Sequence, residues 1–223
     1  MESSPARSRK TSSGKRHYDA SRRQDDARAR RRRVVEAAHD LFLDRGYGSV
    51  TIQEIAQRAG VSAQMVYAAF GSKAGILSEA VDQAIVGDDE DVPLFERPDH
   101  LAALAPTQPR EFVAGVAGSV TAMHERSARI LHLVETVAGS DPAVEELRQK
   151  LHRLRAIDGR RTMELVPDEG RRPGVTDDEL RELLDHVLSP GGYVHLIDDF
   201  GWTPDRYRWW IERIIHDVAY GSD

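Results

Sequence analysis

The sequence predicts an all-α protein: an N-terminal three-helix unit built around a helix-turn-helix, followed by a larger helical domain. Three observations predict it. After residue 25 the apolar residues recur every three or four positions, and no segment alternates with the period of two that a half-buried strand requires. Ser, Thr or Asp stands ahead of most of these stretches, with Gly or Pro behind them, as helix starts and stops demand. Between 51 and 70, two short capped stretches flank a glycine turn.

The elements follow in order. Residues 1–25 are rich in Ser, Arg and Lys, hold almost no large apolar groups, and read as a disordered basic tail. A first helix is expected from about Asp26 to Arg45, with Val34, Ala38, Leu41 and Phe42 on one face and Gly46 as its stop. Thr51 and Glu54 form a capping box, and Val50 with Ile55 a hydrophobic staple, for a second helix reaching about Ala59. Gly60 turns the chain, Ser62 caps a third helix through about Phe70, and Ser72 caps a fourth carrying Ile76, Leu77, Ala80, Val81 and Ala84.

Residues 87–99 are a break, with Gly87, an acidic run, Pro93 and Pro98. This sets domains of 26–87 and 88–223. In the second, helical segments are expected at roughly 109–123, 126–138 and from Asp141-Pro142 onward. A loop follows at 166–175. A helix then starts from the Val175, Thr176, Glu179, Leu180 box and staple, an interruption comes at Pro190-Gly191-Gly192, and a terminal helix opens at Thr203-Pro204.

Composition narrows the function classes. The 223 residues include no cysteine, which excludes a disulfide framework or a thiolate metal site. The most apolar stretch, Phe112 to Val120, is broken by Gly115 and Gly118 and falls short of the roughly 20 residues that span a membrane. No apolar run of signal-peptide length follows the basic N-terminus, so a soluble cytoplasmic protein is expected. The net charge of −6 conceals an asymmetry. Residues 1–33 carry 12 Lys/Arg against 4 Asp/Glu, the remainder 19 against 33. A polyanion-binding end on an acidic body fits that pattern; so does a solvated tail with no partner.

Residues 33–77 carry the informative motif: A-x-x-L-F-x-x-x-G-Y, then T-x-x-x-I-A, A-G-V-S and Y-x-x-F-x-x-K-x-x-L, at fixed spacing. This stretch resembles the DNA-binding domain of TetR/AcrR-family transcriptional regulators. The segments 87–94, 172–180 and 201–207 resemble, more loosely, a subset of that family's C-terminal domains. The resemblance implies an all-helical homodimer on a near-palindromic DNA operator, with a small-molecule effector bound in the larger domain.

Carried onto this sequence, the resemblance makes Lys73 and Tyr67 phosphate contacts, where the bland alternatives are an ordinary exposed lysine and a core tyrosine. Thr51 caps its helix and can also touch phosphate. Gln53, Ser62, Ala63, Gln64 and Met65 fall where base-edge or backbone contacts are made, and Gln64 suits a bidentate pair with adenine. Ala69 stands where histidine is common, which puts the operator sequence in doubt. Arg28, Arg30 and Arg31, in the basic run through Arg33, read as a phosphate clamp or minor-groove arm, against a solvated tail.

For the larger domain, Phe112, Val116, Val120, Met123, His124, Val134 and Leu154 are candidate effector-pocket residues, each also an ordinary core position. Gly115 and Gly118 leave room for a ligand or allow close helix packing. Leu180, Leu184, Val187, Tyr207, Trp210, Ile211 and Ile214 are the candidate dimer interface, and an exposed Trp209 would support one. His124 and His132 lack the i, i+4 spacing of a helical metal pair, so neither metal nor cofactor is expected. The competing readings are a helical enzyme, for which no nucleophile or phosphate-loop motif is present, and an interaction module that has lost DNA binding.

Overall fold

The computed structural model describes residues 12–90, 92–105 and 107–221, with the backbone alone for 12–21 and 23. Among these residues the regular elements are helices, and none is long and apolar enough to cross a membrane. α1 spans Ser12–Arg45, α2 Ile52–Ala59, α3 Ala63–Phe70 and α4 Lys73–Val86. α5 (Pro98–Ala103), α6 (Pro109–Val137), α7 (Pro142–Met163), α8 (Asp177–Val187), α9 (Pro190–Val194) and α10 (Pro204–Ala219) make the larger domain.

The local signals set most of these boundaries. Thr51 Oγ1 accepts from the Glu54 N–H at 3.3 Å while the Glu54 carboxylate accepts from the Thr51 N–H at 2.8 Å. Thr176 and Glu179 repeat the same box ahead of α8 at 3.2 and 2.9 Å. Gly60 takes a left-handed φ of 69° between α2 and α3, which a β-carbon would strain.

Three expectations need correction. α1 begins at Ser12, ahead of Asp26; residues 12–25 of the tail read as disordered are helical, and residues 1–11 lie outside the described ones. Arg, Lys, Gln and Ala are good helix formers, and low apolar content alone does not prevent a helix from extending. The segments 109–123 and 126–138 are one continuous helix, α6, because Met123 to Arg126 contains no breaker. Pro190 starts α9 at its tolerated first position, with Ser189 accepting from the Gly192 N–H at 3.2 Å, and a π-helical turn, His195–Asp199, extends it.

Two cores hold the molecule together. The first joins Val34, Ala38 and Phe42 of α1, Ile55 of α2, Val66 of α3 and Ile76, Leu77 and Val81 of α4 to Ile130 and Val134 of α6 and Val144 and Leu147 of α7. The C-terminal half of α6 and the start of α7 thus complete the core of the helix-turn-helix unit, across the expected boundary at 87/88. The second core joins Phe112, Val113, Val116 and Ala117 of α6 to Leu180 and Leu184 of α8, Tyr193 of α9 and Tyr207, Ile211 and Ile215 of α10. α6 runs through both, so a tilt of this helix is felt in each.

Candidate nucleic-acid interface

α3 is an eight-residue helix anchored by one fully buried side chain, Val66, 1% exposed. The Ser62 hydroxyl accepts from the Met65 N–H at 3.2 Å and fixes its start. Gln64, Met65, Tyr67, Ala68 and Ala69 all face solvent. Met65 and Tyr67, at 44% and 47% exposed, are large apolar-bodied groups left uncovered beside a core that had room for Val66. Such a helix fits a major groove about 12 Å wide, with a polar tip on Tyr67 and an amide on Gln64. Thr51, Gln53 and Ser62 are exposed around it, whereas Ala63 packs partly on the first core. Glu54 is held by the Thr51 hydroxyl and amide and by Arg45 at 2.8 Å, which lower its carboxyl to about 2.

Lys73, expected at a DNA phosphate, is engaged within the protein. Its ammonium donates to the carbonyls of Tyr47 (2.8 Å) and Val50 (3.0 Å) and lies 4.2 Å from the centre of the Tyr47 ring. It therefore pins the turn that leads into Thr51, one residue from the cap of α2. Gly75 explains the tight approach behind it: a Cβ there would sit 2.2 Å from the Phe70 carbonyl oxygen.

The basic run is also engaged internally. Arg31 forms a fork with Glu79 (Nε–Oε1 2.9 Å, Nη2–Oε2 2.5 Å), donates to the Ala69 carbonyl at 3.0 Å, and stacks 4.5 Å over Phe70. It staples α1 to the end of α3, so the contact it makes in the structure is not the solvent-facing one expected of a phosphate clamp. Arg28 is held by Asp89. Arg30 is partly exposed, and Arg33 donates to the Ala59 carbonyl at 3.3 Å. The pattern of charge alone gave no sign of these pairings, because Glu79 and Asp89 lie 48 and 61 residues away in sequence.

The seven candidate pocket residues are divided between the two cores and the surface. Val134 belongs to the first core, Phe112 and Val116 are buried in the second with Val120 packed against it, and Leu154 is 44% exposed. Met123 is partly exposed, while His124 is 1% exposed with Nδ1 3.0 Å from the Tyr207 hydroxyl. Burial, and then Arg155, push the His124 imidazole down to about 3, so it is neutral. Tyr193, not picked out from sequence, stacks edge-on against Tyr207 at 4.7 Å and completes this aromatic cluster. The Gly115 alternatives resolve to close packing, since a Cβ there would lie 1.9 Å from the Ala103 carbonyl oxygen of α5.

Four of the candidate dimer residues are buried within the protomer itself. Leu180, Leu184, Tyr207 and Ile211 are 8% exposed or less and belong to the protomer's own second core. Their apolar period marks a face buried within the protomer, that of α10 against α6 and that of α8 against α7 and α10. Val187, Trp210 and Ile214 are partly exposed. Trp209 is 57% exposed, and Leu183 of α8 40%.

A capped short helix with an uncovered outer face, set on a three-helix base and backed by a larger helical domain, is the architecture of a helix-turn-helix regulator. Residues 34–80 match the family model described as bacterial regulatory proteins, tetR family. The chain is 33% identical over 63 residues to the HTH-type transcriptional repressor BdcR of Escherichia coli K12, covering 28% of this chain and 31% of that protein. It is 40% identical over 62 residues to the HTH-type transcriptional activator FasR of Mycolicibacterium smegmatis, covering 26% and 28%. The sequence matches thus span about a third of these curated relatives.

The structure resembles NalD of Pseudomonas aeruginosa, a secondary repressor of the MexAB-OprM multidrug efflux pump, with a TM-score of 0.66 and 19% identity over 86% of this chain and 96% of that one. A regulator from Saccharomonospora viridis in complex with choline gives 0.63 and 21% over 85% and 96%. The helix-turn-helix segment is thus similar to the tetR family over residues 34–80, and the whole chain shares the fold of these solved regulators.

Proposed function

We propose that the protein is a DNA-binding transcriptional repressor that works as a homodimer and answers to a small-molecule effector. The observation that carries the reading is the solvent-facing side of α3. Gln64, Met65 and Tyr67 are presented together on a helix whose other side is locked by Val66, the Ser62 cap and the Arg31 staple. Gln53 and Thr51 of α2 flank it, within reach of the phosphates bordering one groove. Repression, rather than activation, follows BdcR and NalD, which are named repressors; FasR is named an activator.

Two copies would place their α3 helices about 34–36 Å apart on a near-palindrome. Exposed Trp209 and Leu183 are the apolar groups that a second copy would cover, in place of the buried Tyr207 and Leu180. Effector binding beside the His124–Tyr193–Tyr207 cluster would act on α6, which enters both cores. Affinity for DNA would then change by the effector's differential affinity for two tilts of that helix.

Selection of bound fragments from genomic DNA, followed by footprinting, tests the proposal. The expected result is a protected near-palindrome with half-sites one helical turn apart. Uniform retention of all fragments would reject sequence-specific regulation.

A further inference from the structure

The acidic segment after α4 reads in the sequence as a break between domains; in the structure it grips the middle of α1. Gly87 ends α4 with φ at 91°, turning the chain back toward that helix. Arg28 then forms a two-pronged pair with Asp89 (Nε–Oδ2 2.8 Å, Nη2–Oδ1 2.8 Å), and its Nη2 also donates to the Asp89 carbonyl at 3.3 Å. Arg32, one turn on, brings Nη1 within 3.7 Å of the same carboxylate. The Asp89 side chain is only 16% exposed between them.

The segment is held from its other side by the larger domain. Arg97, the residue before α5, forks onto Asp88 at 2.6 and 2.9 Å and donates to the carbonyls of Val92 (3.0 Å) and Glu90 (3.3 Å). α5 is seated on Gly115 of α6 with no room for a Cβ, and Arg126 of α6 donates to the Ile85 carbonyl at 3.1 Å. Asp89 is therefore presented by a segment whose position is set by α5 and α6, while the arginines it holds belong to the helix-turn-helix unit.

A guanidinium fork binds a carboxylate and a phosphodiester through the same two parallel N–H donors. We propose that the 88–90 segment is an electrostatic latch, in which Asp89 occupies Arg28 and Arg32 in the free protein and DNA phosphate must displace it. The larger domain then sets how many cations α1 offers to DNA by moving Asp89 toward or away from them. The latch rests on the DNA-binding reading above. It is displaceable because Arg28 keeps 53% of its side chain in water, where an ion pair is weak.

The test uses the full-length protein and a fluorescent random-sequence DNA duplex, titrated at a series of salt concentrations. Asp89→Asn should bind about three- to tenfold more tightly than wild type, with a log–log salt slope steeper by about one, as for one added phosphate contact. Arg28→Gln in the Asp89→Asn background should remove most of that gain. Glu90→Gln removes the same charge one residue away and should give clearly less. Equal gains from Asp89→Asn and Glu90→Gln would overturn the latch as a mere net-charge effect. An unchanged affinity and slope in Asp89→Asn, with wild type binding normally, would overturn the latch and leave the DNA-binding reading standing. Failure of wild type and Asp89→Asn alike to retain DNA would overturn both.

Discussion

By its place in the motif Lys73 would be a phosphate contact, and by its geometry it is a strut for the turn that carries Thr51. The two roles separate by stability. Lys73→Met keeps the aliphatic stem and strips the donor from the Tyr47 and Val50 carbonyls, so it should cost about 1–3 kcal/mol in chemical denaturation. Full stability with weakened DNA binding would return Lys73 to the phosphate role. His124 makes a second residue-scale prediction. Its folded pKa lies below its unfolded value, so its contribution is fully present above about pH 6.5 and is lost as the pH falls toward about 3. The loss approaches about 1.4 kcal/mol per pH unit. Stability measured against pH should therefore fall more steeply in wild type than in His124→Leu between pH 6.5 and 4.5. Parallel curves would mean that the imidazole is not buried neutral.

At the scale of elements, what the sequence made legible was local. The Thr51–Glu54 and Thr176–Glu179 boxes, the Ser62 and Ser72 caps and the left-handed Gly60 each depend on residues within three or four positions, and each stands in the structure where it was read. What escaped were features set by distant partners. The periodicity of α8 and α10 shows an apolar face and does not say whether neighbouring helices of the same chain or a second copy cover it. α6 is one helix where the sequence predicts two segments, because nothing between Met123 and Arg126 breaks it. Gly115 belongs here too: Gly115→Ala pushes a Cβ into the Ala103 carbonyl and should cost about 1–3 kcal/mol by displacing α5. Gly139→Ala, with open space around it, is the control that thermal melting should find near neutral. Equal melting temperatures for the two variants would show that α5 does not bear on α6.

At the scale of the whole molecule, the helix-turn-helix unit is tied to the larger domain at three points among others. One is the shared first core. Another is the segment around Asp89. The third is Tyr47, 4% exposed and packed on Phe42, whose hydroxyl donates to Asp141 at 2.9 Å at the cap of α7. Tyr47→Phe removes that bond alone and should cost about 1 kcal/mol, read as a lower unfolding midpoint with an unchanged denaturant slope. A reduced slope would instead mean that the two cores have begun to unfold separately. The helix-turn-helix unit is thus not an independent bead on a linker. Its core is completed by α6 and α7, which gives events in the larger domain a short physical route to α3.

The central claim is that the uncovered face of α3 reads DNA. The most direct measurement is an anisotropy titration of the full-length protein against the DNA upstream of its own gene, at several salt concentrations, with Tyr67→Ala and Gln64→Ala beside it. Both side chains lie outside the core, so the variants should fold as wild type does. The account predicts specific binding that weakens steeply with salt. Tyr67→Ala should lower affinity for specific and random duplexes alike, and Gln64→Ala chiefly for the specific one, by about 1–3 kcal/mol. Unchanged binding in both variants, with wild type bound to the same DNA, would place the contact elsewhere on the molecule and contradict the account.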